Sequence, residues 1–198
     1  MFLQRLKQAT RERHAHLEAQ LPLLDPGLSH DAYRRFVGRF LGYYAPLESR
    51  LLSSPWWGPI GLAYAERRKT PHLAQDLIAL GSTPAALARV AQCSELPDVA
   101  SSARLLGCLY VIEGATLGGQ IITRHLNTHL GLTAQSGAAF FSGYGAQTGS
   151  RWKAFGTQLT AYVQRSGDDD EIIAGANQTF ATIDRWLFPQ PPASGALA

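Results

Sequence analysis

The sequence predicts an all-α domain, on three observations. Apolar residues recur at three- and four-residue spacings through most of the chain. No segment shows the alternation of apolar and polar residues that marks a half-buried strand. Helix start and stop signals (Ser29, Thr70-Pro71, Thr83-Pro84, Gly81, Gly131) fall between the periodic stretches. At 198 residues, with 45% hydrophobic and 17% charged residues, the chain suits one globular unit with a sizeable core. It is read as a helical domain over 1–188 followed by a disordered tail at 189–198, PQPPASGALA.

In chain order, Phe2, Leu3, Leu6, Ala9, Leu17 and Leu21 trace one face of a first helix, interrupted by Arg13 and ended by Pro22 and Asp25-Pro26-Gly27. Ser29 caps the second, with Asp31 in its first turn. That helix runs to about Leu52, with Tyr33, Phe36, Val37, Phe40, Leu41, Tyr44 and Leu47 inward and a kink or weakened turn at Pro46. Trp56 and Trp57 cover the core edge in an irregular stretch. Thr70 is read as the cap of a helix with Pro71 at its first position, stopped by Gly81; Thr83-Pro84 starts a short one to about Gln92. A long helix opens at Leu96-Pro97-Asp98 and ends at Gly131, and residues 137–149 read as a glycine-rich loop. Trp152, Phe155, Leu159, Tyr162 and Val163 mark a further helix, and Asp168, Asp169 and Asp170 begin the last, which runs to about Phe188.

The long helix contains LLGCLYVIEGATLGGQIITRHL, residues 105–126, with glycines at 107, 114, 118 and 119. Each interior glycine costs about 0.5–1 kcal/mol relative to alanine, so the apolar residues around them must be buried against something that needs bare backbone. Gly114 and Gly118 share a face. Close helix packing and a flat or bulky ligand both explain such a face, and on this stretch alone packing is the commoner cause.

Composition excludes several classes. No apolar run reaches the roughly 18–20 residues of a membrane span. The start MFLQRLKQATRERHAH is charged and amphipathic, unlike a secretory signal. Cys93 and Cys108 form no metal or disulfide pattern, so a reducing, cytoplasmic setting is expected. The net charge of +3 suits an anionic small ligand or an acidic protein partner, and no Lys/Arg cluster resembles a nucleic-acid footprint. His125 and His129 make an HxxxH pair without the glutamate of HExxH. The chain has no ExxH pair for a di-iron bundle and no GxSxG, P-loop or GxGxxG motif. His14 and Glu18 are one turn apart and can meet.

Two stretches together carry a resemblance. LKQATRERHAHLE, Leu6 to Glu18, followed about a hundred residues later by EGATLGGQ, Glu113 to Gln120, resembles the heme oxygenase family. The first follows the family's pattern LK-x-AT-x-x-x-H-x-x-x-E around its proximal histidine, and the second occupies the place of its glycine-rich distal helix. DAYRRFVGRFLGYYAPLE, LAQDL and the last helix are similar too, so the likeness spans nearly the whole chain. The distal wording is most similar to the bacterial subgroup found beside bacteriophytochromes.

The resemblance implies a multi-helix bundle holding heme, both cofactor and substrate, between the first helix and a glycine-kinked distal helix. It implies His14 as iron ligand, Glu18 as the partner that fixes its tautomer, and Lys7 near a propionate, two turns away on the same face. Gly114, Gly118 and Gly119 would let the distal helix lie on the porphyrin. Lys153, with Arg151, falls where the family places further propionate-binding residues. The implied reaction is cleavage at a meso carbon to biliverdin, carbon monoxide and iron, using dioxygen and electrons from a ferredoxin, flavodoxin or reductase, with a bacteriophytochrome as biliverdin acceptor.

One position departs from the pattern. Many family members carry an aspartate directly after the first distal glycine, and here it is Ala115. Thr116 and Gln120 are the candidate replacements. The departure keeps open a non-catalytic heme carrier or sensor on the same fold. A thiaminase-like hydrolase of the wider superfamily would need a pocket cysteine, and Cys108 lies among leucines.

Overall fold

The computed structural model describes residues 1–189, so nearly all of the expected tail lies outside the described residues. Helix α1 spans Phe2–Gln20, buries Leu6 and Thr10, and ends before a single 3-10 turn at Pro22–Leu24. Helix α2, His30–Leu52, begins as expected: the Ser29 hydroxyl accepts the Ala32 N–H at 3.2 Å. It is continuous through Pro46. After it come α3 (Trp57–Ile60), where the Trp57 ring stacks on Tyr64, and a 3-10 turn at Tyr64–Arg67.

Helix α4 is Thr70–Ala79, one residue earlier than its signal. Thr70 is inside it, and the Thr70 hydroxyl makes no hydrogen bond. The carboxylate of Glu48, from α2, instead accepts the backbone N–H groups of Lys69 and Thr70, doing from a distance what a cap does locally. Thr83 does cap its helix, but α5 is one turn only, Pro84–Leu87.

Helix α6 is Ser102–Leu130, capped by Ser101 and closed by Gly131 in the left-handed region at φ 66°. It starts later than expected because Asp98 turns back onto the Ala100 N–H. By length and composition α6 is long and apolar enough to cross a membrane, as a buried core helix also can be, and 56% of its most apolar 18-residue stretch is buried in the fold. The segment read as a glycine-rich loop contains α7, Ala139–Ser142, and a 3-10 turn at Gly145–Gln147. Asp76 of α4 makes α7 possible by accepting the Ala139 and Phe140 N–H groups at 2.7 and 2.8 Å. Burial raises the Asp76 carboxyl from 3.8 to about 6, against the lowering effect of those two bonds.

Helices α8, Thr148–Ser166, and α9, Asp169–Leu187, complete an all-α bundle without strands among the described residues. Asp169 and Asp170 lie in the first turn of α9 and pair with Arg5 of α1. The most extensive interface joins α6 to α9; α1 also packs on α9, and both α1 and α6 touch α8 without packing broadly on each other. Helices α1 and α6 are thus joined chiefly through α9 and α8.

Candidate functional site

His14 stands on the exposed side of α1, with about half of its side chain accessible. Its Nδ1 lies 3.3 Å from Glu18 Oε2, which leaves Nε2 as the free ring nitrogen. The ring meets Phe180 of α9 edge-on, with centroids 5.7 Å apart. Phe180 was not singled out from the sequence; its place in the apolar face of the last helix gave no functional signal. Lys7 is exposed and forms no ion pair with another described residue.

The four glycines of α6 divide into two kinds. A Cβ on Gly107 would sit 2.2 Å from the Ile172 carbonyl oxygen, and one on Gly119 would sit 2.2 Å from that of Phe141. Both are therefore sites where another backbone comes close. A Cβ on Gly118 would meet nothing within 4 Å, and one on Gly114 only the Trp152 ring at 3.6 Å. Around them Leu117 and Ile121 are 43% and 63% exposed, an apolar face on an otherwise core helix. Helix α6 therefore has one packed side and one open, bare side.

Two of the expected site residues lie off this open side. Gly119 faces α7 rather than the open side, because Phe141 packs against it. Thr116 is two residues from both Gly114 and Gly118, which turns it to the opposite face. It is buried there, its hydroxyl donates to the Glu113 carbonyl at 2.6 Å, and its side chain packs by Gly143. Gln120 is solvent-exposed.

Lys153 lines a cleft of about 570 Å³ with Leu3, Trp152 and Gly156, between the start of α1 and α8. Leu3 is one turn before Lys7, so both lysines lie near the start of α1. Arg151 is engaged elsewhere, with its guanidinium over the Tyr144 ring and donating to the Glu66 carbonyl. Tyr110 packs against Trp152 near Thr10, and burial raises its phenol while the Thr10 hydroxyl lowers it. Cys108 is fully buried and its thiol is pushed up to about 12 by desolvation, as befits a core residue and not a nucleophile. The His125 and His129 rings lie 4.1 Å apart, with His125 Nε2 at 3.2 Å from the Asp25 carbonyl. No group of three or more metal-binding side chains exists among the described residues.

A second buried cluster escaped the sequence reading. Glu113, just before Gly114, is 1% exposed and accepts from Arg67, Lys69 and Tyr144. A carboxylate between Ile112 and Gly114 of a buried helix is itself the signal, since it needs partners. Those partners come from remote segments.

The bare α6 face and the apolar side chains beside it suit a flat hydrophobic ligand, and His14 keeps one ring nitrogen free. The family model described as Heme oxygenase matches residues 1–188. A heme oxygenase of Xanthomonas campestris is 31% identical over 155 residues, covering 76% of this chain and 86% of that protein. The fold matches the NO- and CO-bound heme oxygenase of Neisseria meningitidis with a TM-score of 0.78 at 21% identity, over 94% of this chain and 90% of that one. It also matches a Synechocystis heme oxygenase in complex with heme, with a TM-score of 0.65 at 20% identity, over 94% and 90% of the two chains. The chain belongs to the heme oxygenase family, and it is a heme oxygenase enzyme by that membership.

Proposed function

We propose that heme binds between α1 and α6, with His14 as the iron ligand, and is cleaved at a meso carbon to biliverdin, carbon monoxide and iron. The observation that carries this reading is the open face of α6, where Gly118 has no neighbour within 4 Å and Leu117 and Ile121 are exposed. A protein does not ordinarily leave such a patch on its longest core helix without a ligand to cover it.

Heme supplies the redox iron and the macrocycle that is itself oxidised, with dioxygen and reducing electrons from outside the chain. Glu18 holds His14 through Nδ1, so that Nε2 is the nitrogen presented to the metal. Gly114 and Gly118 would leave room on this face for the macrocycle, and Leu117 and Ile121 would shield its apolar parts from water. Lys7 and Lys153, both near the start of α1, would offer cations to the propionates. The chain carries no flavin, nicotinamide or iron–sulfur motif, so the electrons come from a ferredoxin, flavodoxin or reductase. Delivery of biliverdin to a bacteriophytochrome, in a cytoplasmic setting, rests on the wording of EGATLGGQ and on the unpaired buried cysteines.

Ala115 favours a second reading, a heme carrier or sensor that binds without turnover. Mixing purified protein with hemin and a reducing system under air separates the two. Decay of the Soret band with growth of biliverdin absorbance is expected; a stable ferrous or oxy spectrum supports the carrier, and absence of hemin binding removes both. His14→Ala should lose histidine ligation and turnover while keeping heme-free stability within about 0.5 kcal/mol, because its side chain is half exposed.

A further inference from the structure

The Glu113 cluster has a composition that packing alone does not require. Glu113 Oε2 accepts from Arg67 at 2.5 Å, and its Oε1 accepts from Lys69 Nζ at 2.9 Å and from the Tyr144 hydroxyl at 2.8 Å. Lys69 Nζ also donates to the Tyr144 oxygen at 2.5 Å, closing a triangle. Behind it Glu48, 2% exposed, accepts from Tyr64 and from the Lys69 and Thr70 backbone, with Arg68 Nε at 3.6 Å. Tyr44 of α2 lies close enough for Glu48 and Glu113 to raise its phenol beyond what burial does. Arg151 of α8 stacks over Tyr144. Burial lowers the Lys69 ammonium against the raising effect of Glu113.

Arg67 and Lys69 balance Glu48 and Glu113 in a site almost closed to water. Apolar residues of similar volume would serve stability at least as well as such buried ion pairs. The cluster is attached to α6 at the residue directly before Gly114, in the same helical turn as the bare face. It also lies in a chain that lacks a carboxylate at Ala115.

We propose that Glu113 is a positioning residue for the α6 side of the heme pocket, its carboxylate offsetting the charges of Lys69 and Arg67 so that the electrostatic potential over the Gly114–Gly118 face is held near neutral. This rests on the pocket reading above. The charge acts through a low-dielectric helix turn, not through contact with the ligand. Tyr144 closes the cluster on the side of α8 and orients both Glu113 and Lys69 without adding charge.

The test is the pH midpoint of the acid-to-alkaline spectral transition of the ferric hemin complex, read for three variants of the full chain. Glu113→Gln leaves Lys69 and Arg67 in excess and should lower the midpoint by about half a pH unit or more, the effect of one buried charge at an effective dielectric near 20. Lys69→Gln should raise it by a similar amount. Tyr144→Phe, which changes no charge, should move it by less than either. A structural staple predicts shifts of the same sign in all three, through loosening, or none, and either result overturns the proposal. If Glu113→Gln does not fold, the contrast between Lys69→Gln and Tyr144→Phe decides by the same criterion. A parent protein that binds no hemin removes the pocket reading and this proposal together; a parent that binds hemin through His14 with unmoved midpoints overturns this proposal alone.

Discussion

Gly107 and Gly118 occupy one helix, eleven residues apart, and are bare for opposite reasons. At Gly107 the missing side chain is replaced by the backbone of α9, whose Ile172 carbonyl oxygen would lie 2.2 Å from any Cβ. At Gly118 it is replaced by nothing within 4 Å. Gly119 belongs with the first and Gly114, against the edge of Trp152, with the second. The lesson is that a glycine-bearing core helix need not have one explanation. Packing and ligand access are both present in α6, on different faces, and a substitution at each glycine reports which one applies.

The largest effect should come at Gly107. Alanine there forces α6 and α9 apart along their main interface, so Gly107→Ala should lower unfolding stability by about 3 kcal/mol or more in urea titrations. A loss below about 1 kcal/mol would break the division at its packed end. A comparable effect follows from pH through Asp76, which seats α7 and so brings the Phe141 carbonyl onto Gly119. Its folded carboxyl, at about 6, is above the ordinary 3.8. The contribution is therefore complete below about pH 4 and lost as pH rises through 6, on the order of 3 kcal/mol in all. Asp76→Asn should flatten that slope in stability measured from pH 4 to 7. Gly119→Ala should cost about 2 kcal/mol, less than Gly107→Ala, because the four-residue helix α7 can shift more easily than α9. Smallest, and opposite in sign, is Gly118→Ala: with no neighbour to strike, the heme-free protein should gain about 0.5–1 kcal/mol from better helix propensity.

What could be read from the sequence was local. The Ser29 cap, the stop at Gly131 and the extents of α1, α2 and α9 depend on residues within a turn of one another, and they agree with the structure. The misreadings have distant causes. Thr70 is not the cap of α4 because Glu48, from the preceding long helix, already satisfies the free amides. Residues 139–142 are helical amid glycines because Asp76 accepts their first N–H groups. The His14–Glu18 contact was legible from its i+4 spacing, and so was the shared face of Gly114 and Gly118. Which glycines touch backbone was not, since that depends on where α7 and α9 pack. The Glu113 cluster was hidden for the same reason, with Arg67, Lys69 and Tyr144 arriving from two other parts of the chain.

The central claim is that the open side of α6 is a wall of the heme pocket, and Gly118→Leu tests it most directly. Hemin titration of the variant, followed at the Soret band beside heme-free thermal unfolding, separates ligand space from fold. The account predicts heme-free stability no lower than the parent's and hemin affinity reduced at least about tenfold, the loss of roughly 1.4 kcal/mol of binding. A stably folded variant that binds hemin as tightly as the parent would contradict it.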